Sequence, residues 1–239
     1  MKYLLTVIIT LFVSLPAMSA PTGQQLRDRL LLEMLAYRST TEFSLISLTQ
    51  GSNKAVESLQ QVIAEGDILA VSIRSEWPDI EKEWRLSREF LISNQQAAIR
   101  GEKAGLPTEV KLRQESLYQA FDNNRPQSSG FSGDDQTLVV LLDNLERIVA
   151  AYLSFNMSLF GVHTAPDTGI AVYASRFDET LERVKDPQFK QRIASKWQFV
   201  RDTLLAYNER SAVFIVDRTG RSIRDMLQQE VQPEHLAAE

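Results

Sequence analysis

The stretch QTLVVLLDNLERIVAAYLSFNMSLF, Gln136 to Phe160, sets Leu138, Leu141, Leu145, Ile148, Tyr152, Phe155 and Leu159 at alternating steps of three and four. That spacing puts all seven on one stripe of a helix and predicts lengthwise packing against neighbours, as in a bundle. Asp134 and Asp135 stand just before it, where carboxylates favour a helix N-terminus. The same rhythm runs through Val56, Leu59, Ile63, Gly66, Ala70, Ile73, Trp77, Ile80, Trp84, Ser87 and Leu91. Pro78 interrupts it. Its missing N–H and its effect on Trp77 predict a kink or a new helix there, with both tryptophans on one apolar side. Only 10 glycines and 8 prolines punctuate 239 residues, and no Asn-Gly or Asp-Gly hairpin signal occurs. The expected class is all-α, an elongated helical bundle.

Two of the three tryptophans sit in similar settings. IRSEWPDIEKEW (73–84) and IASKWQFVRDTL (193–204) share Ile-x-Ser-x-Trp, an offset of 120. FLISNQQAAIR (90–100) and FIVDRTGRSIR (214–224) share Phe and a final Ile-Arg at a nearby offset, and Trp197, Val200, Leu204, Tyr207, Ser211 and Phe214 extend the second seam. Further helical segments are expected over 24–50 and 54–72, and again over 136–160 and 170–185. Between the sets lies FDNNRPQSSGFSGDD (121–135), rich in Asn, Ser, Gly, Pro and Asp and hence a loop. The pattern predicts a duplicated helical module: 20–122, a linker over 123–135, 136–230, and a flexible tail from 231 to 239.

These residues, IRSEWPDIEKEW…FLISNQQAAIR and KWQFVRDTLLAYNERSAVFIVDRTGRSIRDML, resemble the helical periplasmic module of type IV pilus chemotaxis transducers, related to nitrate/nitrite sensor ectodomains. The resemblance implies tandem helical sensor copies, each with a Trp-led helix followed by a closing helix. The family's first helix carries Arg-Gln-Arg-Met-Leu-Ser-Gln-Arg at the anion site. LRDRLLLEML offers Arg27, Arg29 and Leu30 to that signature and NLERIVAAYL offers Arg147, whereas its Gln and Ser members are absent.

The N-terminus, MKYLLTVIITLFVSLPAMSAPTG, has a positive Lys2, an apolar Leu4–Leu15 core and a small-residue zone at Ala17–Ala20. As a helix that core spans about 18 Å, short of the roughly 30 Å hydrocarbon layer. A signal peptide over residues 1–19 is expected, followed by a soluble periplasmic protein with no membrane span. The chain has no cysteine, so export brings no disulfides. A formal net charge of −5, with both signs mixed along the chain, argues against a nucleic-acid partner.

Motifs for chemistry are sparse. The two histidines, His163 and His235, have no metal-ligand spacing, and neither a Cys nucleophile nor a Gly-x-Ser-x-Gly elbow exists. Asp167-Thr168-Gly169 matches an aspartic-protease triplet but precedes a helical run, which favours Asp167 or Thr168 as a helix N-cap. Asp217-Arg218-Thr219-Gly220-Arg221 reads as a bend or a polar face. No catalytic residue, metal or cofactor is expected. Arg27, Arg29, Arg38 and Arg147 are the candidates for an anionic ligand, since arginine forks suit planar oxyanions. Their alternative is pairing with Asp28, Glu33, Glu42 and Glu146. Trp77, Trp84 and Trp197 are expected in the core, or lining a groove with Arg74, Arg85 and Arg88. The expected function is non-catalytic recognition of a small ligand or an envelope partner protein. The alternative is a structural or assembly factor of an envelope machine.

Overall fold

A computed structural model describes residues 20–157, 169–206 and 212–231. Residues 1–19, where a signal peptide is expected, and His163, His235, Asp167-Thr168, Tyr207, Ser211 and the last eight residues lie outside them. The fold is all-α, and no strand occurs among the described residues. The helices are α1 (Gly23–Leu48), α2 (Asn53–Ile73), α3 (Pro78–Arg100), α4 (Leu106–Asn123), α5 (Gly133–Met157), α6 (Ile170–Leu181), α7 (Pro187–Ala206) and α8 (Val213–Val231).

Local chemistry sets several boundaries. Thr22 Oγ1 accepts from the Gln25 amide at 3.2 Å while Gln25 Oε1 accepts from the Thr22 amide at 2.9 Å, a reciprocal cap that starts α1. Pro78 opens α3 as a new helix, with Trp77 at the N-cap position, and left-handed Gly101 (φ 64°) closes it. Gly169, also left-handed, is the N-cap of α6. The 217–221 run is no bend. It lies inside α8, where Gly220 is buried against Val149 and Asp217 pairs with Arg221.

Ser72 near the end of α2 donates to Asp28 near the start of α1, and Trp84 of α3 reaches back to Asp67 of α2, so α1, α2 and α3 alternate in direction. α1 packs on α2, α3 and α4, while α5 packs on α6, α7 and α8, and α1 and α5 meet each other. Arg27 near the start of α1 donates to the carbonyl of Gly130, just ahead of α5, at 3.3 Å. Leu48 and Met157, which end α1 and α5, border one cavity. The two central helices therefore run the same way. One apolar cluster, including Phe43, Leu59, Leu145, Phe177, Trp197 and Ile223, draws on all of the first and last four helices without a break. A second, built on Leu32, Ile73, Trp77, Trp84 and Phe121, fills the remaining space among α1–α4.

The expected pairing of Trp77 with Trp197 is not what the fold places in common. Trp77 belongs to the second cluster and Trp197 to the first. Trp84 lies in the second cluster as well, but its indole N–H is held by an aspartate of the preceding helix, as that of Trp197 is. Likewise Phe90 lies in α3 and Phe214 in α8, so the 90–100 and 214–224 stretches occupy different elements. Phe214, expected in the apolar seam, is 68 % exposed.

Candidate functional site

The indole nitrogen of Trp84 donates to Asp67 Oδ1 at 2.9 Å, and Arg88 donates to Oδ2 of the same carboxylate at 2.9 Å. Trp197 donates to Asp178 Oδ1 at 2.6 Å, and Arg201 to Asp178 Oδ2 at 3.0 Å. In each case one carboxylate on the second helix of a set satisfies a buried indole N–H and holds an arginine one turn further along the third. A Trp introduced into a core needs such a partner. The sequence carries the motif openly once the offset is 113: Ile80-x3-Trp84-x3-Arg88-x2-Leu91 and Ile193-x3-Trp197-x3-Arg201-x2-Leu204. Asp67→Ala and Asp178→Ala should each lower the unfolding free energy by about 1–3 kcal/mol, since both leave a buried donor unpaired. Urea titrations giving similar losses at the two sites would show that the clamps are energetically alike.

Two of the arginines singled out from sequence, Arg29 and Arg147, meet elsewhere, between α1 and α5. Glu33, 4 % exposed, receives Arg29 Nη1 at 3.0 Å on one oxygen and Arg147 Nη2 on the other. Arg147 also donates through Nε to both oxygens of Asp143, at 3.0 and 2.9 Å, and through Nη1 to the Tyr37 hydroxyl at 2.6 Å. Its guanidinium lies over the Tyr37 ring at 4.5 Å, and Tyr37 stacks on Tyr118 at 4.1 Å. Arg29 finishes its valences on the carbonyls of Phe121 and Asn124, which ties α1 to the end of α4.

A second charged group joins α8 to Glu42 of α1 and Glu146 of α5. Arg221 donates to Glu42 Oε2 at 2.6 Å and to Asp217 at 2.7 Å, and Arg224 grips both oxygens of Glu146. Arg38 lies beside this set with Nε 4.0 Å from Glu42 Oε1, and neither atom has a hydrogen-bond partner. Arg27 stands apart at the start of α1, on Gln24 and Gly130. The structure thus joins Arg29 with Arg147, puts Arg38 in the adjacent group and leaves Arg27 outside both. Arg221 and Arg224 were missed. Their partners are 179 and 78 residues away, and only their three-residue spacing hints at a shared face.

Burial decides the electrostatics. It holds the Arg29 guanidinium below its ordinary range despite Glu33. Burial also pulls on Arg147, but Asp143, Tyr37 and Glu33 together outweigh it and fix the positive form. Glu42 goes the other way: desolvation outweighs Arg221, Arg224 and Arg38, so its carboxyl sits above the usual range. A carboxyl raised on folding contributes most to stability below its unfolded value and loses that contribution as pH rises through the folded one. Glu42→Gln should therefore gain on the wild type as pH rises from about 4.5, the ordinary value for this group. Thermal midpoints of both proteins between pH 4 and 7 test the sign.

Trp77, Trp84 and Trp197 are 8, 2 and 1 % exposed, within the two apolar clusters rather than along an open groove. Arg74 and Arg85 face Glu81 and Glu89 at 3.5 Å on the surface. Among the described residues, no three His, Cys, Asp or Glu side chains are grouped to hold a metal ion. None of the described helices is long and apolar enough to cross a membrane. No family model matches the chain, and neither a curated protein nor a solved structure is detectably similar to it.

Proposed function

We propose that the chain is an exported, non-catalytic helical module, built from two related four-helix sets, that recognises a small ligand or an envelope partner and responds by shifting α1 against α5 and α8. The observation that supports it is the charged joint where these three helices meet. Buried ion pairs add little net stability against apolar packing but are strict about register. Acidic and basic groups recur one turn apart on all three helices: Arg29, Glu33, Arg38 and Glu42; Asp143, Glu146 and Arg147; Asp217, Arg221 and Arg224. A full-turn slide of α1 would set Arg29 or Tyr37 opposite Arg147 in place of Glu33, and Arg38 or Ile46 opposite Arg221 in place of Glu42. The pairs therefore hold one register, and a ligand acts by a smaller shift of the packed helices about it. The paired Asp–Trp–Arg clamps support the relation between the sets, and each keeps its own helices in place while the joint moves.

The absence of cysteine makes the test direct, because Lys54→Cys in α2 and Arg218→Cys in α8 give two uniquely labelled, exposed positions across the joint. Electron–electron spin-resonance distances between them should shift when a bound ligand raises the thermal midpoint. A ligand that stabilises the protein but leaves the distance distribution unchanged removes the switching part of the reading.

A second reading, an assembly factor of an envelope machine, draws on large apolar side chains that face water. Ile68 (72 %), Phe199 (67 %) and Phe214 (68 %) are examples. Capture of one envelope protein by the wild type, lost on Phe199→Ser or Phe214→Ser without loss of helicity, would favour that role.

A further inference from the structure

A cavity of about 590 Å³ opens at the end of the bundle where α1, α3 and α5 stop, bordered by Leu48, Gln50, Ala98, Ile99, Arg100 and Met157. We propose that it binds a small amphipathic carboxylate, the apolar body lying on Leu48, Ala98, Ile99 and Met157 and the carboxylate meeting Arg100 and the Gln50 amide. The proposal rests on the reading of the chain as a ligand-recognition module and gives that module a site and a ligand class.

The volume suits a small molecule, and the wall is mixed, with Leu48, Ile99 and Met157 apolar and Gln50, Arg100, Glu102 and Lys103 supplying polar groups, which suits an amphipathic occupant. Gln50 supplies the second observation. It is the one non-glycine residue with positive φ (53°) among the described residues. It follows the C-cap of α1, where the Gly51 amide reaches back to the Ile46 carbonyl at 2.8 Å. Glycine is the usual occupant of that left-handed place because a Cβ is strained there. A long amide held in such a backbone, at the rim of a cavity, is the pattern expected of a side chain kept for contact rather than for folding.

The cations at the rim are not equivalent. Lys103 is engaged by Asn94 Oδ1 at 3.2 Å and by Glu109 Oε2 at 2.5 Å. Arg100 has only Glu102, at 3.7 Å, and both side chains are largely exposed. Its fork is therefore the one free to meet a carboxylate in two-pronged fashion. Finally, Met157 ends α5 whereas the other lining residues named belong to α1 and α3 or the turns that follow them. An occupant touches both central helices at once, and so bears on the α1–α5 relation on which the charged joint depends.

Calorimetric titration of the full chain with sodium octanoate, 1-octanol and sodium sulfate tests this. Octanoate should bind saturably, octanol at least tenfold more weakly, and sulfate not at all. Arg100→Gln, on the surface, should bring octanoate down to the level of octanol. Ala97→Trp, which places an indole in the half-buried cavity wall, should remove both while helical circular dichroism is unchanged. Gln50→Gly should raise the thermal midpoint and weaken octanoate. Absence of octanoate binding to the wild type overturns the site, as does Arg100→Gln binding octanoate like the wild type. Octanoate bound with an unaltered 54–218 distance leaves the cavity standing and sinks the switching reading. A distance that responds to some other ligand while octanoate fails sinks the cavity alone.

Discussion

Arg147→Met should lower the unfolding free energy by about 3–5 kcal/mol, the expected loss when one member of a buried ionic group is removed. The size follows from what is left behind. Asp143 loses its hydrogen-bond partner, Glu33 retains only Arg29, and the Tyr37 hydroxyl loses a 2.6 Å donor. Asp143 is already pushed above the ordinary carboxylate range by burial, with Arg147 the main opposing influence, so it has little tolerance for that loss. Replacing Arg29, Glu33, Asp143 and Arg147 together by apolar residues of similar volume should recover most of the stability, because no uncompensated charge then remains. Urea denaturation of the single and the quadruple variant separates the two terms. A single variant within about 1 kcal/mol of the wild type would mean that water reaches the joint, and the argument for a strict register would go with it.

That joint was not readable from the sequence, and the reason is physical. Periodicity reports which face of a helix is apolar, and it placed the seams of α2, α3 and α5 correctly: Leu59, Ile63, Ile80, Trp84, Leu91, Leu141, Leu145 and Tyr152 are all buried. It says nothing of which charged residues on the remaining faces will meet. α1 is enclosed nearly all round, so Arg29, Glu33 and Glu42 are buried with it, and their partners in α5 and α8 lie 114 and 179 residues away. The same limitation explains the misplaced tryptophan pairing. Ile-x-Ser-x-Trp is a local likeness, and in α3 the residue before a helix-starting proline happened to fit it. What makes two indoles equivalent is the carboxylate that each N–H finds, and Asp67 and Asp178 sit on other helices. A search for Ile, Trp, Arg and Leu at steps of four, four and three would have picked Trp84.

Gly66→Ala tests how closely that indole is held. On an exposed helix the change would stabilise by up to about 1 kcal/mol, since alanine is the better helix former. Here an added Cβ would stand 2.1 and 2.4 Å from two ring carbons of Trp84. The ring has nowhere to retreat: it is 2 % exposed, and its nitrogen is fastened to Asp67, the very next residue along α2. The overlap wins, and a loss of about 3 kcal/mol is expected, at the upper end for an overpacked core. Gly220→Ala supplies the comparison, a mid-helix glycine whose Cβ would meet only a Val149 methyl at 3.1 Å. Its change should lie within about 1 kcal/mol of zero. Trimming the ring with Trp84→Leu should make Gly66→Ala nearly neutral in the double variant, a coupling readable from a denaturation cycle. In the other set the corresponding place before the clamping carboxylate is Phe177, whose ring lies 4.3 Å from that of Trp197. One set seats its indole on bare backbone and the other on an aromatic face, with the same Asp and Arg holding both. A Gly66→Ala protein as stable as the wild type would show that the indole is free to move, and that the clamp fixes only the nitrogen.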